Sequence, residues 1–334
     1  MGRCRMNQGW VYRDRIPAAA VGQTLLDYYA QRYQHSSRAE WQQRIELGQV
    51  MVDEGLGRAE QPLQAGQQLA YHRPPWQEPA VPLEFAVLYE DDDFLAIAKP
   101  SGLPVLPGGG FLEHTLLHQL RQRYDDPHLS PVHRLGRGTS GVMLWARSPL
   151  AKSELSRQMR RSTYKTSPDE TSSETAPAEA LRKTYRALVG PGELPDRLLM
   201  TTPIGPVPYP QLGTVHAATP TGKPARSAAR VVSRCDAHTL LDVTIFTGRP
   251  HQIRIHLAAA GYPLLHDPLY APGGQPYPVT DAPGAVPVPG DCGYWLHAHR
   301  LQLHHPRTRS PLNIVASPPP PLQSPAERVE SNQT

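Results

Sequence analysis

The sequence predicts an α+β protein with two domains of unequal size, on three observations. The chain has 334 residues, which is enough for a sizeable core and more than one domain usually needs. Helical periodicity and short strand patterns both occur along it. A proline-rich stretch, residues 74–82, interrupts both patterns and marks a linker between the domains.

The smaller domain is expected over residues 14–73, after a lead-in of residues 1–13. From Leu25 to Tyr33 apolar and aromatic residues recur at helical spacing, and Ser37 with Glu40 predicts a capping box that starts a second helix. A short strand follows at residues 50–52. Arg38 and Arg44 on the second helix form a broad basic surface, which from the residues alone is typical of a solvated helix face.

The larger domain is expected over residues 83–322. Two strand patterns joined by three adjacent Asp residues, at 85–98, predict a β-hairpin. Further helices and strands are expected at residues 114–123, 142–146, 149–161, 183–189, 241–246 and 296–306. Residues 162–181 contain few apolar residues, so we expect a disordered insertion there. Proline and glycine predict turns at 201–232 and an exposed loop at 271–291, and a disordered tail is expected at 323–334.

The basic residues are mostly arginine. The chain carries 34 Lys and Arg against 30 Asp and Glu, for a net charge of +4, and only five of the cations are Lys. Arginine pairs bidentately with phosphate and stacks on bases, so this composition favours an anionic partner such as nucleic acid. A general compositional bias towards Arg is the alternative explanation.

Cysteine usage and hydropathy indicate the cellular compartment in which the protein is expected. Three cysteines without short spacing (Cys4, Cys235, Cys292) predict neither a disulfide framework nor a zinc knuckle and fit a reducing compartment. No apolar run approaches the ~18 residues of a membrane span, and the N-terminus has no apolar signal-peptide core. We therefore expect a soluble, cytoplasmic protein that does not bind membranes.

Residues 132–141 form the most informative stretch. Three Gly, two Arg, a His and two hydroxyl side chains predict a tight cationic loop. Gly136, Gly138 and Gly141 also spell the dinucleotide-binding pattern G-x-G-x-x-G, but residues 131–134 make a poor strand and residues 142–146 favour a strand over the required helix. An ordinary glycine-rich turn is the remaining alternative.

This loop resembles the signature of the RluA-type RNA pseudouridine synthases, H-R-L-D-R-x-T-S-G, with Gly136 where that family has its catalytic Asp. Three further motifs of the family occur in the same order. They are Lys99-Pro100-x-Gly102, the K-x-Y-x-A-L-V stretch at 183–189, and the G-R-x-H-Q-I-R-x-H stretch at 248–256. Residues 14–73 resemble the S4 RNA-binding module, so the resemblance covers about residues 14–322.

The resemblance implies a pseudouridine synthase fold, in which helices and loops flank a mixed, largely antiparallel central sheet, preceded by a small S4-like α/β domain. It implies a monomer that isomerises uridine in structured RNA, ribosomal RNA ahead of transfer RNA, by base flipping and glycosidic bond cleavage. No cofactor or metal is required. A zinc site is the alternative suggested by four clustered histidines, His297, His299, His304 and His305. No Cys pair lies near them, and structural zinc usually has four ligands at tighter spacing.

The resemblance also implies roles for individual residues. Position 136 is the place of the family's catalytic carboxylate, which acts as nucleophile or base. Tyr185 would stack on the target base, and Arg254 would pair with the family's aspartate and a substrate phosphate. The residues implied in RNA binding are Arg134, Arg137, Arg38, Arg44, Lys223 and Arg249. His251 and His256 are expected to be structural.

Gly136 leaves two hypotheses open. Without the aspartate, Arg254 is expected to face an empty pocket, and Asp125, Asp126 and Asp267 are the candidate replacement acids. The first hypothesis is an active synthase with a displaced acid. The second is a non-catalytic RNA-binding member of the family that acts in RNA folding or ribosome assembly.

Overall fold

The computed structural model describes residues 6–126, 128–164, 181–210, 212–278 and 286–331. The chain forms two compact units, Met1–Pro79 and Ala80–Thr334. The boundary falls within the proline-rich stretch at 74–82.

The first unit packs two helices on a small antiparallel sheet of strand order β1-β4-β2-β3. Thr24 caps the first helix, and the expected capping box between Ser37 and Glu40 starts the second. Leu25, Tyr29 and Trp41 join the two helices in one buried core. The bounds are β1 Trp10–Arg15, α1 Leu25–Arg32, α2 Arg38–Glu46, β2 Val50–Val52, β3 Gly55–Leu56 and β4 Gln68–Arg73.

The two ends of this unit are more ordered than the sequence suggested. Strand β1 begins within the segment expected to be a lead-in and pairs with β4 along its length. The side chain of Asn7 donates to Glu78 at 2.8 Å and accepts from the backbone N–H of Trp76 at 3.1 Å. The start of the expected linker therefore belongs to the first unit. An S4-like identity for this unit stays a prediction.

The second unit is built on a ten-stranded sheet. Its main path runs β10-β13-β14-β9-β15-β8-β6-β5, with β16 beside β15 and β7 beside β8. The strands are β5 Ala86–Glu90, β6 Phe94–Lys99, β7 Ser130–Pro131, β8 Ser140–Ala146, β9 Arg182–Val189, β10 Arg197–Met200, β13 Ser227–Cys235, β14 His238–Ile245, β15 Leu296–His304 and β16 Pro311–Val315. A separate hairpin joins β11 Ile204–Tyr209 to β12 Gly213–Ala218. The helices are α3 Leu116–Arg123, α4 Pro149–Tyr164, α5 Gln252–Ala259 and α6 Pro325–Ser331.

The sheet is antiparallel except at its centre, where β8 and β15 pair in parallel through Ser140–His297 and Gly141–Ala298. Gly141 has φ +106°, and a Cβ there would lie 2.2 Å from the carbonyl oxygen of Ala298. Only glycine allows this close approach, so the last residue of the central loop is fixed by the strand it enters. The loop therefore lies at the middle of the sheet.

Four expectations about irregular segments need correction. Helix α4 continues to Tyr164 and Leu181 is buried, so both ends of the expected 162–181 insertion are ordered, while residues 165–180 lie outside the described residues. Residues 201–232 contain β11, β12 and part of β13 rather than turns alone. The expected exposure of the 271–291 loop is wrong for residues 286–291, which are half-buried. Residues 279–285 lie outside the described residues.

The expected disordered tail is wrong for residues 325–331, which form α6. Ser324 and Glu327 make a second capping box, with Ser324 N–H donating to the Glu327 carboxylate at 2.7 Å and Glu327 N–H to Ser324 Oγ at 3.3 Å. Glu327 also pairs with the buried Arg186 of β9, at 3.1 Å.

Within the described residues, no helix has the length and apolar character to cross a membrane.

Candidate active site

The central loop is held by the turn that follows β6. Lys99 is buried, and its ammonium group donates to two carbonyls of its own turn at 2.8 Å and to the carbonyl of Arg137 at 3.0 Å. All three ammonium donors are thus used, and burial lowers the pKa of Lys99 to about 7. Ser101 donates to the next loop carbonyl, that of Gly138, at 2.7 Å. Two sequence motifs therefore act as one unit, a turn that clamps a loop.

Neighbouring elements bring Tyr185 and Arg254 to this loop. Tyr185 lies on β9, opposite Ala298 of β15, and burial raises its pKa to about 12. Arg254 lies in the first turn of α5, which begins after His251 in a left-handed conformation with φ 53°. A non-glycine residue at positive φ is uncommon and is held here by its surroundings.

These side chains line one cavity of about 120 Å³. Ligand sites for drug-sized molecules are usually larger, at ~300–1,000 Å³, so this cavity suits a base-sized group. The structure brings together Gly136, Tyr185 and Arg254, as the resemblance implied. The lining residues are Arg134, Leu135, Gly136, Thr139, Tyr185, Ile245, Arg249, His251, Gln252, Ile253, Arg254, Tyr294 and Leu296.

The expectation that Arg254 faces an empty pocket is wrong. Its Nε and Nη2 donate to the two carboxylate oxygens of Asp267, both at 2.7 Å, and the two side chains are only 2% and 1% exposed. Burial by itself lowers the pKa of Arg254, but the hydrogen bonds and charge of Asp267 outweigh it and raise that pKa above its ordinary value. Asp267 therefore supplies the negative charge that compensates Arg254.

None of the three candidate replacement acids lines the cavity. Asp267 is fully used, because it also accepts from the backbone N–H groups of Leu269 and Tyr270 at 2.9 and 3.2 Å. Asp126 lies 3.5 Å from Arg147, and Asp125 is exposed. Among the described residues that line the cavity, none carries a carboxylate.

Tyr294 is the cavity residue that sequence reasoning missed. Its hydroxyl lies 3.2 Å from Thr139 Oγ1, and its ring centroid lies 4.2 Å from the guanidinium carbon of Arg254. The side chain is 4% exposed. Tyr294 lies just before β15 and far from the loop in sequence, so only the parallel β8–β15 pairing places it here.

His251 is held as a neutral ring at the cavity wall. Its Nδ1 lies 2.7 Å from the hydroxyl of Tyr270, which donates its proton to the His216 carbonyl at 2.7 Å. Nδ1 therefore donates, and Nε2 is the acceptor nitrogen. Burial first, and then the charge of Arg254, lower the pKa of His251 to about 4. His256 is wholly buried between Ser227 and the Thr202 carbonyl, at 3.0 Å from each.

The cations implied in RNA binding differ in their positions. Arg134 is exposed at the cavity and makes no hydrogen bond or ion pair within the described part of the chain. Arg249 also lines the cavity, while its Nε donates to the Pro224 carbonyl at 3.0 Å. Lys223 is exposed outside the cavity lining. Arg137 is directed away, because its Nε donates to the Gly290 carbonyl at 2.7 Å.

The two arginines of the first unit are both engaged in local contacts. Arg38 is exposed and forms an ion pair with Asp27. The Arg44 guanidinium lies 4.5 Å from the ring centroid of Trp41 and donates to Ser36 at 2.8 Å. Their part in RNA binding stays a prediction.

His297 and His299 of β15 are held by hydrogen bonds within the fold. His297 Nε2 and His299 Nδ1 both donate to the Ala316 carbonyl, at 3.1 and 3.0 Å. His297 Nδ1 is therefore the acceptor for Ser140, at 2.8 Å. Within the described ranges, no three His, Cys, Asp or Glu side chains converge on a position for a metal ion.

Comparisons with known proteins agree with this geometry. A family model described as RNA pseudouridylate synthase matches residues 93–259. A Synechocystis protein named as an uncharacterized RNA pseudouridine synthase is 47% identical over 93% of this chain and 99% of its own length. RNA pseudouridine synthase 5 of Oryza sativa is 42% identical over 97% of this chain and 91% of its own length.

A ribosomal large subunit pseudouridine synthase D from Nitrosomonas europaea is 34% identical over 88% of this chain and 80% of its own length. Among solved structures, human RNA pseudouridylate synthase domain containing 1 superimposes with a TM-score of 0.53 at 20% identity, covering 77% of this chain and 98% of that one. That likeness confirms the expected pseudouridine synthase fold. The chain belongs to the RNA pseudouridine synthase family.

Proposed function

We propose that this protein isomerises uridine to pseudouridine in structured RNA, with ribosomal RNA as the first candidate substrate. The observation that carries the proposal is the single cavity shared by the central loop, Tyr185 and Arg254. The choice of ribosomal RNA rests on the Nitrosomonas relative, which is named for the large ribosomal subunit.

The reaction suits a small cavity with an aromatic wall. Isomerisation breaks the bond between C1′ and N1 of uridine, turns the base and rejoins it through C5. A base that leaves its stack needs a plane to replace the lost stacking, and Tyr185 is the aromatic side chain that the resemblance assigns to this role. The product contains the same atoms as the substrate, so the reaction consumes no second substrate.

The exposed cations give the RNA a place to bind. Arg134 is at the cavity mouth with its guanidinium uncommitted, so it can enter the gap left by the extruded base or bind a flanking phosphate. Because Arg254 is committed to Asp267, phosphate binding near the target nucleotide falls to Arg134 and Arg249. Arg38 and Arg44 of an S4-like first unit would bind RNA further from the target.

A second candidate function is RNA binding without catalysis, as an RNA folding or ribosome assembly factor. It is favoured by one observation, the lack of a carboxylate among the described residues that line the cavity. Losing a nucleophile commonly lowers the rate by several orders of magnitude. A cavity with its base-stacking wall intact would still bind RNA.

The test is nucleotide-resolution pseudouridine mapping of total RNA from a strain that lacks this gene, beside its parent. We expect the deletion strain to lack at least one pseudouridine that its parent has, in ribosomal RNA rather than transfer RNA. If the maps are identical while the purified protein binds ribosomal RNA tightly, isomerisation is refuted and the binding function is favoured. A site missing only from transfer RNA would overturn the choice of substrate.

A further inference from the structure

We propose that Tyr294 supplies the catalytic oxygen at this site, with its phenol in the space that Gly136 leaves beside the target sugar. The inference rests on the proposed isomerisation and names the group that performs it. Tyrosine is a known nucleophile in enzymes that form covalent intermediates, including glycosidases of the sialidase type.

The first support is the fit between Tyr294 and two glycines of the loop. Tyr294 Oη lies 3.1 Å from the point that a Cβ on Gly136 would occupy. A Cβ on Gly138 would lie 3.0 Å from two carbons of the ring and 3.1 Å from the same oxygen. Both distances are tighter than ordinary Cβ contacts, so a side chain at either position would require the phenol to move by a few tenths of an ångström.

Neither glycine is needed for its backbone conformation. Gly141 of the same loop has φ +106°, whereas Gly136 and Gly138 do not have positive φ. Their small size therefore leaves room for a neighbouring side chain and is not needed for an unusual backbone conformation. Tyr294 fills that room. The Tyr294 oxygen lies 3.1 Å from the Cβ position at residue 136, so it is within reach of the space that an Asp side chain there would share.

The second support is the electrostatic environment of the phenol. The Arg254 guanidinium lies 4.2 Å from the Tyr294 ring centroid, and Thr139 is within hydrogen-bond distance of the oxygen at 3.2 Å. Both stabilise negative charge on that oxygen, and the Asp267 carboxylate that pairs with Arg254 offsets part of this effect. Burial has the larger effect and raises the pKa of Tyr294, so the resting group is a neutral phenol that carries a proton into the reaction.

The proposed chemistry balances without a co-reactant. In the first step the C1′–N1 bond breaks with its electron pair going to N1, the Tyr294 oxygen bonds to C1′, and the phenol proton passes to N1. The uracil then turns to present C5. In the second step C5 bonds to C1′, the electrons of the C1′–O bond return to Tyr294, and the proton released from C5 restores the phenol.

The test compares the purified protein with Tyr294→Phe on RNA that contains the mapped uridine. Phenylalanine keeps the ring that packs on the two glycines and removes only the oxygen. The variant is expected to form pseudouridine at least about 1,000-fold more slowly in a single turnover, with RNA affinity and thermal stability unchanged. Tyr262→Phe is the matched control, because its hydroxyl donates to the Glu193 carbonyl outside the cavity.

A second measurement separates catalysis from packing. Mass spectrometry of acid-quenched wild-type reactions should detect a nucleotide adduct on the peptide that contains Tyr294, and none in Tyr294→Phe. If Tyr294→Phe retains the wild-type rate, Tyr294 is not the catalytic group, although the proposed function stands. If the wild-type protein itself forms no pseudouridine, the proposed function fails and the inference fails with it.

Discussion

Arg254 and Asp267 form a bidentate ion pair in the interior of the second unit, with both N···O distances at 2.7 Å. The pair fixes the guanidinium at the cavity wall and balances its charge, so the arginine can face the Tyr294 ring without an unpaired buried charge. The loop aspartate of the family is therefore not required to hold Arg254 in place.

Asp267→Asn is expected to destabilise the protein by about 3–5 kcal/mol, because it leaves a buried guanidinium without its counter-charge. Urea unfolding followed by circular dichroism measures this change. Asp196→Asn is the control, since Asp196 is 84% exposed in its 2.7 Å pair with Arg234 and should contribute about 0–1 kcal/mol. Equal effects of the two substitutions would show that the buried pair does not stabilise the fold.

Tyr185→Ala is expected to weaken RNA binding by about 1–3 kcal/mol, the usual contribution of one base stacked on an aromatic ring. Tyr185→Phe keeps the ring and should retain most of that binding. Fluorescence anisotropy with an RNA fragment that contains the target uridine measures both. Unchanged affinity of the alanine variant would argue against Tyr185 as the platform for the base.

Gly141→Ala is expected to destabilise the second unit by about 3 kcal/mol or more, because the new Cβ meets the Ala298 carbonyl at 2.2 Å and φ is +106°. The cost falls on the only parallel strand pair among the described strands of this sheet. Gly190→Ala is the matched control, since a Cβ there meets no atom within 4 Å. Thermal unfolding that does not distinguish the two variants would contradict this account of the sheet centre.

Acid should destabilise the second unit through its buried histidines. Burial lowers the pKa of His251, His256 and His297 to about 4, whereas unfolded histidine titrates near 6.5. Between these values the unfolded chain binds more protons, so the free energy of unfolding should fall as pH decreases from about 6.5 to about 4.

His256→Gln retains a donor for the Thr202 carbonyl and removes one titrating group, so it should flatten this pH dependence. The exposed His128→Gln serves as control and should leave the slope unchanged. Urea midpoints at a series of pH values provide the measurement. A parallel slope in His256→Gln and the native protein would rule out this histidine as a source of the acid sensitivity.

Local signals in the sequence predicted local structure well. The capping box at Ser37 and the strand patterns on either side of residues 90–93 correspond to α2 and to the β5–β6 hairpin, because caps and periodicity depend on neighbouring residues. The same signal at Ser324 was present and overlooked. Strand β11 was not predicted because it contains Pro206 and Pro208. A two-stranded hairpin tolerates both, since alternate residues can face the unpaired edge, where no backbone N–H donor is needed.

The contacts within the site were harder to predict from the sequence than its local structure. The motifs identified Tyr185, Arg254 and the loop, and the cavity contains all three. The neutralisation of Arg254 by Asp267 and the position of Tyr294 over the glycines depend on side-chain packing between separate elements, which no local pattern encodes. Gly136 and Gly138 do not have positive φ, so their role is to leave room for another side chain. The sequence does not show which residue fills that room.

The central claim is that this cavity isomerises uridine, and turnover by the purified protein tests it most directly. Ribosomal RNA from the deletion strain would be incubated with a tenfold smaller molar amount of protein, and pseudouridine at the missing site counted against time. The account predicts several pseudouridines per protein molecule, with loss of activity in Tyr294→Phe. RNA that is bound tightly while every uridine stays unchanged would contradict it.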